Sequence, residues 1–194
     1  MQRLFRILIP TLLMAMFSGC WAGSTTPVTP AIDGDVVFYG GYESDQRDGG
    51  RPVALIAAAL KVESEVFRAA FSNVNPAKVG PPTHSRAQAN KKVLMDALGK
   101  HGVTNDRLDE VSNYYRYRPQ ANELWTHKPA KAKAVIESGK VVGFEIVDAG
   151  SGYLTAPTIF VEGHPDVRAI AEIEYTEDLE TNGRVVKIGL SKGN

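Results

Sequence analysis

Chemistry in this chain can be sought in two clusters of side chains and one thiol. The first cluster is the loop Glu43-Ser44-Asp45-Gln46-Arg47-Asp48-Gly49-Gly50, with three carboxylates and an arginine beside two glycines. A strand leads in and a helix N-terminus leads out. Asp45, Asp48 and backbone carbonyls there can hold a hard cation, or the helix start, helped by Arg47 or Arg51, can favour an anion. The spacing does not fit the usual calcium loop, and Arg47 competes with any cation. The plainer reading is a solvated strand-to-helix turn whose acids pair with nearby arginines. The second cluster is Tyr114-Tyr115-Arg116-Tyr117-Arg118, with Trp125 shortly after. Such rings can stack on sugars while arginines fix carboxylate or phosphate groups. The competing reading makes these rings the cement between a helix and a β-module. The thiol is Cys20, the only cysteine.

Other familiar machinery is missing. His84, His101, His127 and His164 show no helical pair spacing suited to metal ligation. Gly150-Ser151-Gly152 lacks both the spacing and the strand-to-helix setting of a nucleophile elbow. Asp109 and Glu110 are adjacent and diverge on a helix, and Glu177-Asp178-Leu179-Glu180 reads as a solvated hairpin tip. No cofactor is expected.

These groups must be held by two kinds of element. Val36-Val37-Phe38-Tyr39 is β-branched and aromatic and predicts one short strand. Val53, Ile56 and Leu60 then fall at helical spacing, as do Val66, Phe67, Ala70 and Phe71. Asn75-Pro76 stops the second helix, and Lys78 to Ser85 reads as a loop. Val93, Leu94, Ala97 and Leu98 mark a third helix. Leu108, Val111 and Tyr115 mark a fourth, with Thr104 or Asn105 as its N-cap.

After Pro119 the period changes to two, and the chain repeats itself. Ala132-Lys133-Ala134-Val135-Ile136-Glu137 recurs as Ala169-Ile170-Ala171-Glu172-Ile173-Glu174. Gly139 to Ile146 recurs as Gly183 to Leu190. Each copy predicts a hairpin, the first closed at Ser138-Gly139 and the second at Asn182-Gly183. The triplets Val142/Phe144/Ile146 and Val186/Ile188/Leu190 are expected to share one core. Gly150 and Gly152 are expected to make a sharp turn, with Tyr153 as a packed lid.

At the N-terminus, Arg3 and Arg6 precede the apolar stretch Ile7 to Phe17, and Phe17-Ser18-Gly19-Cys20 closes it. That order of regions is how a secretory signal reads. With cysteine at the processing site, it resembles the lipobox of bacterial lipoproteins, although Phe17 stands where Leu is usual. The resemblance implies a diacylated Cys20, made N-terminal by removal of residues 1–19. Trp21 to Pro30 is small, polar and proline-rich with nothing to bury, and is expected to be a flexible tether lifting the folded part off the membrane.

Asp148-Ala149-Gly150-Ser151-Gly152-Tyr153 and Ala156 to Val161 resemble the Gly-Ser-Gly-Tyr β-repeat of bacterial surface and phage tail proteins. The likeness runs from about Ala132 to Leu190 and implies a structural β-module. Asp106 to Arg118, upstream of it, resembles uncharacterised secreted bacterial proteins, a likeness that carries no activity.

The 22 basic and 22 acidic residues balance. Losing Arg3 and Arg6 with the signal leaves a net charge near −2, which gives no bulk pull towards nucleic acid. The expected organisation is a signal over 1–19, a lipidated tether over 20–32, a helical domain over 33–118 and a β-repeat module over 130–194. The fold class is α+β: about four helices after one short strand, then an antiparallel β-rich module. The expected role is a membrane-anchored, exported lipoprotein that binds or supports the cell envelope without catalysis. Its partners would be the membrane through the anchor, and envelope glycan or another envelope protein. The alternative is an envelope hydrolase acting on glycan or peptide through carboxylates of the Glu43–Asp48 loop.

Overall fold

The computed structural model describes residues 31–77, 82–116 and 123–191. Cys20, Tyr117 and Arg118 lie outside them. The architecture is α+β, with four helices and one six-stranded antiparallel sheet. Strand β1 (Ala31–Tyr39) comes first and is followed by the helices α1 (Val53–Ala59), α2 (Ser64–Ser72), α3 (His84–Leu98) and α4 (Asn105–Tyr114). Then come β2 (Lys131–Glu137), β3 (Lys140–Asp148), β4 (Thr158–Val161), β5 (Ala169–Glu174) and β6 (Arg184–Leu190).

The strand order β3-β2-β1-β4-β5-β6 gives the first strand a role that the sequence did not suggest. β1 does not stand with the helices that follow it. It lies mid-sheet, antiparallel to β2 on one side and to β4 on the other. The sheet is thus two three-stranded meanders, β1-β2-β3 and β4-β5-β6, joined where β1 meets β4. All four helices fill the connection between β1 and β2.

The repeat seen in the sequence is also a repeat in space. Ala134 stands opposite Phe144 in the first hairpin, and its counterpart Ala171 stands opposite Ile188 in the second. Both hairpins then slip by one residue at the same point: Ile136 pairs with Val141, and Ile173 with Val185. Val142 and Val186 are the extra residues of two equivalent bulges, which turn them outwards. The expected triplets are corrected accordingly. Val141 and Val185 face the core, whereas Val142 is 46 % and Val186 41 % exposed. Leu190 is exposed at the strand end, while Phe144, Ile146 and Ile188 pack half-buried on the sheet core. Phe144→Ala and Ile188→Ala should therefore each cost about 1–3 kcal/mol, below the range for a fully buried site. Urea unfolding checks this, and a cost above that window for Ile188→Ala would contradict its half-buried position.

The Ser138-Gly139 turn matches expectation, with positive φ at both residues (49° and 77°), as a two-residue antiparallel turn of this kind requires. Asn182-Gly183 does not form a tip. Asn182 is fully buried; its Nδ2 donates to the Leu55 carbonyl at 2.8 Å and its Oδ1 accepts from the Thr176 N–H at 3.1 Å. The longer second loop has folded back and made its asparagine a strut to α1.

The sheet curls until its edges meet. Val185 N–H donates to the Ala149 carbonyl at 2.9 Å, Gly152 N–H to Asn182 O at 2.8 Å and Tyr153 N–H to Gly183 O at 3.0 Å. Gly183 (φ 73°) makes this close approach possible, since a Cβ there would sit 2.6 Å from Tyr153 O and 2.9 Å from Tyr153 N. Tyr153 is 1 % exposed, as the lid expectation requires. Its hydroxyl accepts the Ala130 N–H at 2.9 Å, and its ring stacks on Tyr42 at 5.0 Å.

A second core gathers the helices around Leu55, Phe67, Leu98, Leu108, Val111 and Trp125. Tyr42 packs against both cores. Helix α3 begins at His84, inside the stretch expected to be loop, because Thr83 caps it by accepting the Arg86 N–H. Thr104 is the cap of α4. Among the described residues, no helix is long and apolar enough to cross a membrane.

Candidate binding groove

The 43–48 loop is built as a structural turn. Asp45 caps the single 3-10 turn Gln46–Asp48, accepting the Arg47 N–H at 2.8 Å. The Arg47 guanidinium lies 2.7 Å from its other oxygen. Asp48 is buried and takes a two-pronged contact from Arg68, Nε to Oδ1 at 2.6 Å and Nη2 to Oδ2 at 2.9 Å. Glu43 accepts the Gly41 N–H at 2.8 Å and the Thr155 hydroxyl at 3.2 Å. The three carboxylates thus have separate partners, and Asp45 and Asp48 pair with arginines as the plainer reading of the loop has it. Among the described residues, no three acidic, histidine or cysteine side chains are placed to hold a metal ion.

The Arg47 hydrogen bonds hold the Asp45 carboxyl down at about pKa 2. Hydrogen bonds from Lys128 and from the Gly150 N–H lower that of Asp148 as well. A depressed folded-state pKa means stability that is present above the ordinary carboxylate range and lost as pH falls through the folded pKa. Acid unfolding between about pH 4 and pH 2 should consequently be shallower in Asp45→Asn than in the parent. An unchanged acid limb would show that these contacts contribute nothing.

The aromatic cluster divides. Tyr115 is 3 % exposed and meets Tyr114 edge-on at 5.0 Å, and burial raises its pKa. Trp125 is 2 % exposed, and its Nε1 donates to the Gly152 carbonyl at 2.9 Å. Both are packing residues that tie helices to sheet, so neither offers a face to a ligand. Arg116 is exposed and donates to Asn113 Oδ1 at 2.8 Å. Among the described members of the cluster, Tyr114 alone lines an opening.

That opening is a shallow groove of about 660 Å³ between α4 and the β5–β6 loop. Its lining is Arg107, Glu110, Asn113 and Tyr114 from the helix, and Glu177, Asp178, Leu179 and Glu180 from the loop. The acidic loop taken as a solvated tip is thus one wall of the groove. No family model, no curated protein and no solved structure matches this chain.

Arg107 is the residue that sequence reasoning missed. Its guanidinium donates to the Ala59 carbonyl at 3.1 and 3.0 Å, to Glu110 Oε2 at 2.5 Å, and to the Glu177 carbonyl. It therefore clamps α1, α4 and the β5–β6 loop together, and sets the groove's width. Glu177 pairs with Lys61, and Asp178 Oδ1 accepts the Glu180 N–H at 2.9 Å. Burial, then the Glu180 and Asp178 charges, raise the Tyr114 pKa. The groove is thus a fixed, net-negative wall beside one aromatic ring. The one hint of it in sequence was acidic density at 177–180, which equally fits an idle tip.

Proposed function

We propose that this protein is an exported lipoprotein, anchored through Cys20 to a bacterial cell membrane or outer membrane. In this reading it binds an envelope glycan or protein without catalysing a reaction. The observation that carries the non-enzymatic part is the commitment of the carboxylates. Glu43, Asp45 and Asp48 are each held by a backbone or side-chain donor of the protein itself. A hydrolase working through that loop needs carboxyls free to face substrate across a cleft. The groove beside Tyr114 is open and shallow, and suits reversible contact. The anchor rests on the order of basic, apolar and small residues ending at Cys20.

The test joins both halves. Protein purified from bacterial envelope should carry the acyl mass on an N-terminal Cys20, and Cys20→Ser should leave an uncleaved or soluble form. A photo-crosslinker at Tyr114 should label an envelope component in whole cells, and one at Lys100 should not. Normal maturation and detergent partitioning of Cys20→Ser would overturn the anchor. Release of fragments from envelope glycan or peptide, lost in Asp45→Asn, would overturn the non-enzymatic role.

A further inference from the structure

Among the described residues, the outward face of the sheet at β1, β4 and β5 is apolar and exposed. Val37 stands directly opposite Phe160, and Tyr39 opposite Thr158, which itself faces Ile170. Those four apolar side chains are 47 %, 55 %, 72 % and 61 % exposed, while Val36, Ile159 and Val161 alternate into the core. Isolated exposed apolar residues are ordinary, but a contiguous set across three strands marks a contact surface.

Shape and tether narrow the occupant. Because the sheet curls until Val185 bonds to Ala149, this face is convex, and two convex faces touch along little more than a line. A second copy of the chain fits it poorly; a deformable surface fits it well. The residues from 21 to 30 lead from Cys20 straight into β1 and span at most about 33–36 Å. The nine-residue β1 is about 30 Å long. The tether is therefore long enough to let β1 lie along the bilayer surface.

We infer that the face formed by Val37, Tyr39, Phe160 and Ile170 rests in the headgroup region of the bilayer that holds the anchor. The inference builds on the lipoprotein reading above. Tyr39 suits such a boundary, with an apolar ring and a polar tip. At the flanks, Lys133 stands between Asp35 and Glu145, and Glu172 opposite Lys187, so the face carries no net positive charge and attraction is apolar.

The experiment uses the full chain, matured in a lipoprotein-processing bacterium and reconstituted in phosphatidylethanolamine/phosphatidylglycerol vesicles. A bimane probe is placed on Tyr39→Cys, Phe160→Cys or Lys100→Cys in turn, the acylated Cys20 offering no competing thiol. Nitroxide lipids should quench most emission at Tyr39 and Phe160 and leave Lys100, in the helical layer, bright. Acyl mass present with all three probes bright overturns the face inference and spares the anchor. Acyl mass absent overturns the anchor reading, and bright probes in that sample overturn the face as well. A dimer by sedimentation that Phe160→Ser dissolves would assign the face to a second copy and overturn the inference.

Discussion

Replacing Trp125 by alanine should destabilise the protein by about 3–5 kcal/mol, the largest single effect expected here. The indole is 2 % exposed within the helical core, and its N–H is the donor to the Gly152 carbonyl. Alanine removes the ring and leaves that carbonyl short of its partner inside a buried turn, so a cavity and a lost hydrogen bond act together. Trp125→Phe should restore much of the packing without the donor, and fall about 1–2 kcal/mol short of the parent. Guanidinium unfolding followed by far-UV circular dichroism measures both. If Trp125→Ala cost under 1 kcal/mol, the helices and the sheet would not depend on this junction.

Asp48→Ala is expected to be next in effect. The carboxylate is 5 % exposed and holds Arg68 by two hydrogen bonds, while the Arg68 side chain is 21 % exposed and also reaches Glu65. Removing one partner of a buried pair costs about 3–5 kcal/mol when the other charge stays buried. Arg68 can turn partly to water and to Glu65, which brings the expectation to about 2–3 kcal/mol. Asp48→Leu combined with Arg68→Met should lose less than Asp48→Ala alone, because no charge is then stranded. Equal losses in the two proteins would show that packing, rather than charge pairing, holds the 43–48 turn to α2.

Much of the fold could be read from local pattern, and the failures have specific physical causes. The helices showed in the spacing of Ile56, Phe67, Leu108 and Val111, and all four are buried. The repeat showed in paired strings such as Ala132 to Glu137 and Ala169 to Glu174. Strict alternation then misplaced Val142 and Val186, because a bulge moves one residue out of register while leaving composition untouched. Asn182-Gly183 carried a turn signature, but its fate depended on Leu55, 127 residues away in sequence. β1 looked like a prelude to the helices because its partners, β2 and β4, lie far along the chain. The candidate site was the least legible part. Tyr114 and Tyr115 are neighbours of the same type, yet one lines the groove and the other is interior. The side of α4 on which each falls is set by what packs there. Arg107 gave no signal at all, since its three acceptors include two backbone carbonyls that no sequence motif announces.

The position of β1 has a consequence for how the chain reaches its native state. Among the described elements it is the first to be synthesised, yet its partners span Ala132 to Ile136 and Thr158 to Val161. Hairpins β2-β3 and β5-β6 close over short loops and can form as soon as they exist. β1 has to wait for a contact about a hundred residues away, and closing so long a loop is entropically slow. Docking the four helices first would shorten the effective distance between Tyr39 and Lys131, turning one long search into a short one. The helical layer thus acts as a clasp on the folding timescale, and its loosening should slow refolding far more than it speeds unfolding.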